Sequence, residues 1–220
     1  MRRPAEHRDA GTVTPTTIDL KRELHMLYRA GDEPAFVTVP DLPFLMIDGH
    51  GDPNSDPAYA DALQALYSVA YTLRFALKRR PDGVDATVMP LEGRWWVPDM
   101  ATFTTAAKAD WDWTMLILQP EQVTAADVAD ARASVVEKKH VAAAARVRLE
   151  RYAEGVCAQV MHHGPYSAEG PTVLRLHRFI AEQGYALAGK HHEIYLGDPR
   201  RTAPEKLRTI VRQPVAPPGG

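Results

Sequence analysis

The chain has 220 residues, 45% hydrophobic and 25% charged, ordinary proportions for a globular protein long enough to bury a core. A formal net charge of −2 gives no general electrostatic footprint for nucleic acid or an anionic membrane, and no apolar run nears the ~20 residues that span a bilayer. The single cysteine, Cys157, excludes an internal disulfide and a multi-thiolate metal site, and fits a reducing, cytoplasmic compartment.

Residues 1–17 are rich in Arg, Asp, Thr and Pro without an apolar h-region, so they read as a disordered lead-in rather than a secretory signal. Leu20, Leu24 and Leu27 share one face of a short helix predicted over 19–28. Residues 36–39 and 44–48 read as two strands punctuated by Pro40 and Pro43. Asp56-Pro57 supplies an N-cap followed by proline at the first helical position. Behind it Tyr59, Leu63, Leu66, Ala70, Leu73 and Leu77 form the stripe of an amphipathic helix that ends near Arg80-Pro-Asp-Gly83. Residues 84–89 and 94–97 suggest strands, and 113–118 is a β-rich run stopped by Gln119-Pro120. Thr124-Ala-Ala-Asp127 resembles a capping box with Asp in place of Glu, and opens a helix running to His140 or beyond. The last third repeats the scheme: a strand from Gly155, a helix over about 171–183 with Gly184 as its stop, strands over 191–196 and 207–213, and a frayed tail at 216–220.

Two short matches suggest duplication. His50-Gly-Asp-Pro-Asn-Ser55 answers His163-Gly-Pro-Tyr-Ser167, each leaving a strand and entering a helix through proline. Thr114-Met-Leu-Ile-Leu-Gln-Pro120 answers Thr209-Ile-Val-Arg-Gln-Pro214. The fold class expected is therefore α+β: duplicated β-α-β-β units related by a pseudo-twofold, with one antiparallel sheet, helices on one face and a ligand groove between the halves. This gives a single domain over 18–215, with a first half at about 36–120, a connecting helix at about 124–150 and a second half at about 155–215.

The candidate site starts from Glu193, a carboxylate in mid-strand, which is costly to bury without partners or a job. His191 and Tyr195 share its face by strand alternation, while His192 and Ile194 share the other. Glu92, in Pro90-Leu-Glu-Gly93, stands near the equivalent place in the first half. Two such carboxylates in one apolar pocket would repel, and one would titrate upward. All four tryptophans, Trp95, Trp96, Trp111 and Trp113, fall within nineteen residues. Trp95 and Trp96 point to opposite faces of a strand, whereas Trp111 and Trp113 share one. Each reads either as core packing or as part of an aromatic box for a planar ligand. Tyr166 and Tyr71 are either proton donors or capped core residues. His162, His163, His191 and His192 lack zinc-ligand spacing, so no metal is expected. Cys157 reads as a small buried hydrophobe. Lys138, Lys139, His140, Arg146, Arg148 and Arg151 alternate with Glu137 and Glu150, as a solvated face does. Asp198-Pro-Arg-Arg201 reads as a turn with exposed cations.

Several motifs in order carry a family resemblance: Asp52-Pro-Asn54, Pro90-Leu-Glu-Gly-Arg-Trp-Trp96, Trp111-Asp-Trp-Thr-Met115 and His191-His-Glu-Ile-Tyr-Leu196. Over most of 19–215 the chain resembles GyrI-like (SOUL/GyrI-type) small-molecule-binding domains, and is most similar to a stand-alone branch that includes cyclopropanoid cyclopropyl hydrolases. The resemblance implies a cup-shaped pocket between the halves, lined by aromatics, with Glu193 matching the pocket glutamate. It also implies hydrolytic opening of spirocyclopropyl genotoxins of the duocarmycin type, with Glu193 and then Glu92 activating water and Tyr166, Tyr195 or His191 stabilising charge on the dienone oxygen. About thirty-five residues before the first strand are too few for a helix-turn-helix domain. Two rival classes stay open: a protein that sequesters hydrophobic or cationic drugs, and a gyrase or other protein-interaction modulator. The partner expected is a hydrophobic planar small molecule, with no cofactor, nucleic acid or membrane, and with homodimerisation left open.

Overall fold

The structure, a computed structural model, describes residues 15–217. Its core is a sheet that closes on itself. The strands are β1 (Thr16–Ile18), β2 (Ala35–His50), β3 (Val84–Ala86), β4 (Leu91–Trp96), β5 (Asp112–Leu118), β6 (Arg148–His163), β7 (Ala186–Leu187), β8 (His191–Tyr195) and β9 (Arg208–Ala216). The helices are α1 (Leu20–Glu23), α2 (Pro57–Lys78), α3 (Ala125–Lys139) and α4 (Gly170–Glu182). The main sheet runs β6-β2-β5-β4-β8-β9, and β9 pairs back with β6. Every ladder in that ring is antiparallel. The expected α+β antiparallel architecture holds, but the sheet is a closed six-stranded barrel rather than an open layer. Closure removes the sheet's free edges and leaves an inner and an outer face.

Local chemistry explains the elements. The Asp56 side chain accepts from the Ala58 amide and Pro57 opens α2, which buries Ala62, Leu66, Val69, Leu73 and Leu77 against the barrel. Thr124 and Asp127 form the expected reciprocal capping box, and His140 ends α3 in the left-handed region (φ 57°). The two strands expected around Pro40 and Pro43 are one long strand, because β2 pairs with β6 over its first part and with β5 over its last. Gly155 lies inside β6 at φ 78°, a conformation glycine adopts without a Cβ penalty, two residues before β6 begins to pair with β9 as well as with β2.

The expected lead-in over 1–17 lies outside the described residues up to 14, and its end is ordered: Thr16 and Thr17 pair in parallel with Val84 and Asp85. The tail lies outside the described residues from 218. The helix expected over 19–28 shrinks to the four residues of α1. The chain after α1 instead covers one barrel end, where Gln159 Nε2 donates to the carbonyls of Met26 (2.9 Å) and Arg29 (3.3 Å), and Arg212 donates to that of Leu27.

Candidate functional site

Alternation sorts the site residues onto two faces. Glu154 on β6 and His192 on β8 are not strand neighbours, yet His192 Nδ1 lies 2.9 Å from Glu154 Oε2, so both point into the barrel. Glu92 joins them: its Oε2 lies 3.0 Å from His192 Nε2, and its Oε1 accepts a 2.6 Å hydrogen bond from the Tyr28 hydroxyl. Arg212 lies 3.6 Å from Glu154 and Arg94 sits over the Tyr152 ring at 3.8 Å. Burial disfavours the charged form of His192, but Glu154 and Glu92 outweigh it and hold its pKa up; the charge of His192 in turn helps hold Glu154 down against burial. Glu92 thus belongs to an internal ion network and not to a pocket with Glu193. The expectation that the two share one apolar pocket fails, because they sit at positions of opposite parity in the β4–β8 register, where Gly93 and not Glu92 faces Glu193.

Glu193 faces outward, towards α2 and α4. The Tyr195 hydroxyl donates to its Oε2 at 2.7 Å and His191 Nε2 lies 3.1 Å from its Oε1. Tyr195 in turn accepts from Trp95 Nε1 at 3.1 Å. The approach is permitted by Gly93, since a Cβ there would stand 2.7 Å from Trp95 Nε1 and 3.0 Å from the Tyr195 oxygen. Tyr166, on the short turn that enters α4, packs edge-on to Tyr195 at 5.2 Å. Around them Tyr59 of α2 lies 6.0 Å from Trp95 and edge-on to Trp113 at 5.2 Å. Phe103 stacks on Trp111 at 4.8 Å and tilts against His191 at 5.3 Å.

Of the four tryptophans, Trp95, Trp111 and Trp113 gather here. Trp113 is fully buried beneath Tyr59. Trp96 points away and carries the Lys190 ammonium 3.0 Å from its ring. Tyr71 is exposed on α2 and stacks on Tyr67. Among the described residues no group of three or more His, Cys, Asp or Glu has the arrangement of a metal site.

The residue that sequence reasoning missed is Glu169. It stands at the N-terminal boundary of α4 but makes no side-chain capping bond. It is buried beside Glu193, and its Oε1 has no hydrogen-bond partner among the described residues. Burial, then the charge of Glu193, pushes its pKa up to about 9. Burial also opposes the charge of Glu193, but hydrogen bonds from His191 and Tyr195 outweigh it and hold that carboxyl below its ordinary value. At neutral pH the pair therefore holds one proton, on Glu169, and one negative charge, on Glu193. Burial, then Glu169 and Glu193 once both are ionised, raise Tyr166 to about 12. His191 Nδ1 and Thr209 Oγ1 are likewise buried without partners among the described residues.

The sequence profile of the GyrI-like small molecule binding domain matches residues 32–216. The chain belongs to the GyrI-like family. Among solved structures, this GyrI-like domain is similar to an uncharacterized conserved protein from Listeria innocua, at 40% identity and a TM-score of 0.84 over 90% of this chain and 100% of the other. A hydrolase encoded by lin2189 of Listeria innocua is 39% identical, with a TM-score of 0.82 over 91% of this chain and all of its own. A further hydrolase from that organism is 37% identical, with a TM-score of 0.79 over 90% and 100% of the two chains. No curated protein matches this GyrI-like domain.

Proposed function

We propose that this GyrI-like domain is a cytoplasmic hydrolase that detoxifies hydrophobic, planar electrophiles by adding water across a strained cyclopropane. The observation that carries the reading is the split carboxyl pair: Glu193 charged and Glu169 protonated, side by side beneath Trp95, Trp111, Tyr59 and Phe103. Two carboxyl groups whose environments drive their pKa values apart provide a base and an acid at one pH. The hydrolases from Listeria innocua support the same class of chemistry. The aromatic walls hold the ligand flat. Glu193 takes a proton from water as its oxygen bonds to the ring methylene, and the cyclopropane C–C bond breaks towards the conjugated dienone. The phenolate oxygen so formed takes the Glu169 proton, or one relayed by Tyr166, and the proton on Glu193 returns to Glu169. The net change is one water added. His191 and Tyr195 orient Glu193 through their hydrogen bonds, and Glu92 supports the barrel from within. Residues 18–215 act as one domain, and the site draws on both expected halves: Tyr59 and Trp95 from the first, Tyr166, Glu169 and Glu193 from the second. That division supports a pseudo-twofold duplication of β-α-β-β units.

The test is incubation with a spirocyclopropyl dienone followed by mass spectrometry. The wild type is expected to yield the water adduct, and Glu193→Gln to slow it by ~10²–10⁴, the span of a lost general base. Recovery of unchanged compound from the wild type overturns the reading.

A second reading, sequestration, has its own support: an anionic Glu193 within an aromatic enclosure suits a lipophilic cation. Under that reading a quaternary ammonium dye binds saturably, Glu193→Gln weakens it, and no substrate is consumed.

A further inference from the structure

At the barrel end covered by the segment after α1, a cleft of about 410 Å³ is lined by Lys21, Tyr28, Leu196, Thr202, Lys206 and Arg208. Its walls carry three cations and no acid, in a chain whose net charge is −2. Of the acids near in sequence, Asp19 and Asp198 are engaged elsewhere, while Glu23 and Glu205 form no ion pair with the cleft's cations among the described residues. Asp19 caps α1 through the Arg22 amide at 3.2 Å, and Asp198 holds the Arg200 guanidinium through two bonds of 3.0 Å. Among the described residues Lys21, Lys206 and Arg208 have no ion pair. Their backbone is nonetheless fixed: the Leu196 amide donates to the Arg208 carbonyl at 3.0 Å, the Thr202 amide to that of Asp198 at 2.9 Å, and the Lys206 amide to that of Ala203 at 2.9 Å. The cleft lies apart from Glu193. Its floor is Tyr28, whose hydroxyl is directed into the barrel to Glu92.

We propose that this cleft binds the phosphomonoester group of a small metabolite. A volume of this size falls in the ~300–1,000 Å³ span of small-molecule sites. Three cations left unneutralised favour a dianion over a single carboxylate, and a phosphomonoester carries about −1.5 to −2 at neutral pH. The Arg208 fork suits paired phosphate oxygens, the two lysines act as point charges, and the Thr202 hydroxyl adds a neutral donor. Leu196 and the Tyr28 ring provide an apolar wall for the rest of the ligand. The Lys206 and Arg208 side chains reach into solvent, so their removal leaves the core intact.

Titration calorimetry on the full chain tests this with adenosine monophosphate and glucose 6-phosphate, each beside its phosphate-free twin, adenosine and glucose. At least one ester is expected to bind while its twin does not, with affinity falling as salt is raised. The double variant Lys206→Ala/Arg208→Ala is expected to weaken binding about tenfold or more, one lost charged contact being worth that much. Glu193→Gln is expected to bind the ester as the wild type does. Binding of both esters shows that the phosphate alone is read; binding of one shows that the apolar wall selects a nucleoside or a sugar. The proposal is overturned if neither ester binds, if the twins bind as well as the esters, or if the double variant binds undiminished.

Discussion

At the residue scale, the pair Glu169 and Glu193 makes pH the most informative variable. Glu169 has a folded pKa raised from 4.5 to about 9, so the stability it contributes is fully present below 4.5 and is lost as pH rises through about 9. Glu169→Gln keeps the neutral form at every pH. Its melting temperature is expected to gain on that of the wild type steadily as pH is raised across that window, as thermal melts at several pH values will show. Turnover is expected to fall on the alkaline side near 9, where the acid is lost, and on the acid side where Glu193 takes a proton. Gly93→Ala places a methyl group against Trp95 Nε1 and the Tyr195 oxygen; overpacking of this kind costs roughly 1–3 kcal/mol. A lower melting temperature together with weaker ligand binding is the expected outcome. Glu193 was legible because a carboxylate in mid-strand calls for partners, and strand parity named His191 and Tyr195 as those partners. Glu169 was not, because a glutamate at a helix start normally reads as a cap or a solvated charge. Only the tertiary approach of α4 to β8 turns it inward.

At the element scale, periodic helices and their caps were readable, since α2, α3 and α4 owe their existence to local signals. The short helix expected over 19–28 fails for a long-range reason. The carbonyls of Met26, Leu27 and Arg29, which a helix ending at 28 leaves unpaired, are taken by Gln159 and Arg212, so the barrel ties the segment down in a non-helical course. Likewise Pro40 and Pro43 suggested a break, but a strand that changes partners tolerates proline where no ladder donor is needed. Tyr28 anchors the covering segment to Glu92. Tyr28→Phe leaves that buried carboxylate one donor short, and a loss of about 1–3 kcal/mol in chemical denaturation is expected, with the protein still folded.

At the scale of the whole molecule, closure of the sheet was the part the sequence could not show. A strand pattern records which face is apolar, and it is silent on whether the first and last strands meet. Closure is also what put Glu92 inside, since β4 and β8 expose one parity to the helices and enclose the other. The enclosed charges hold each other in place. Glu154→Ala leaves His192 and Arg212 without their shared carboxylate, and a loss of about 3–5 kcal/mol is expected in denaturant melts.

The site straddles the β4–β8 seam, where Leu91 pairs with Tyr195 and Trp95 bonds the Tyr195 hydroxyl across a separation of 100 residues. Contacts so distant along the chain form only after the intervening loops have closed, which is slow. A ribosome must therefore have released the chain through at least Tyr195 before this site exists. In refolding experiments ligand capture should return in the slowest phase, after far-ultraviolet circular dichroism has recovered most of its change.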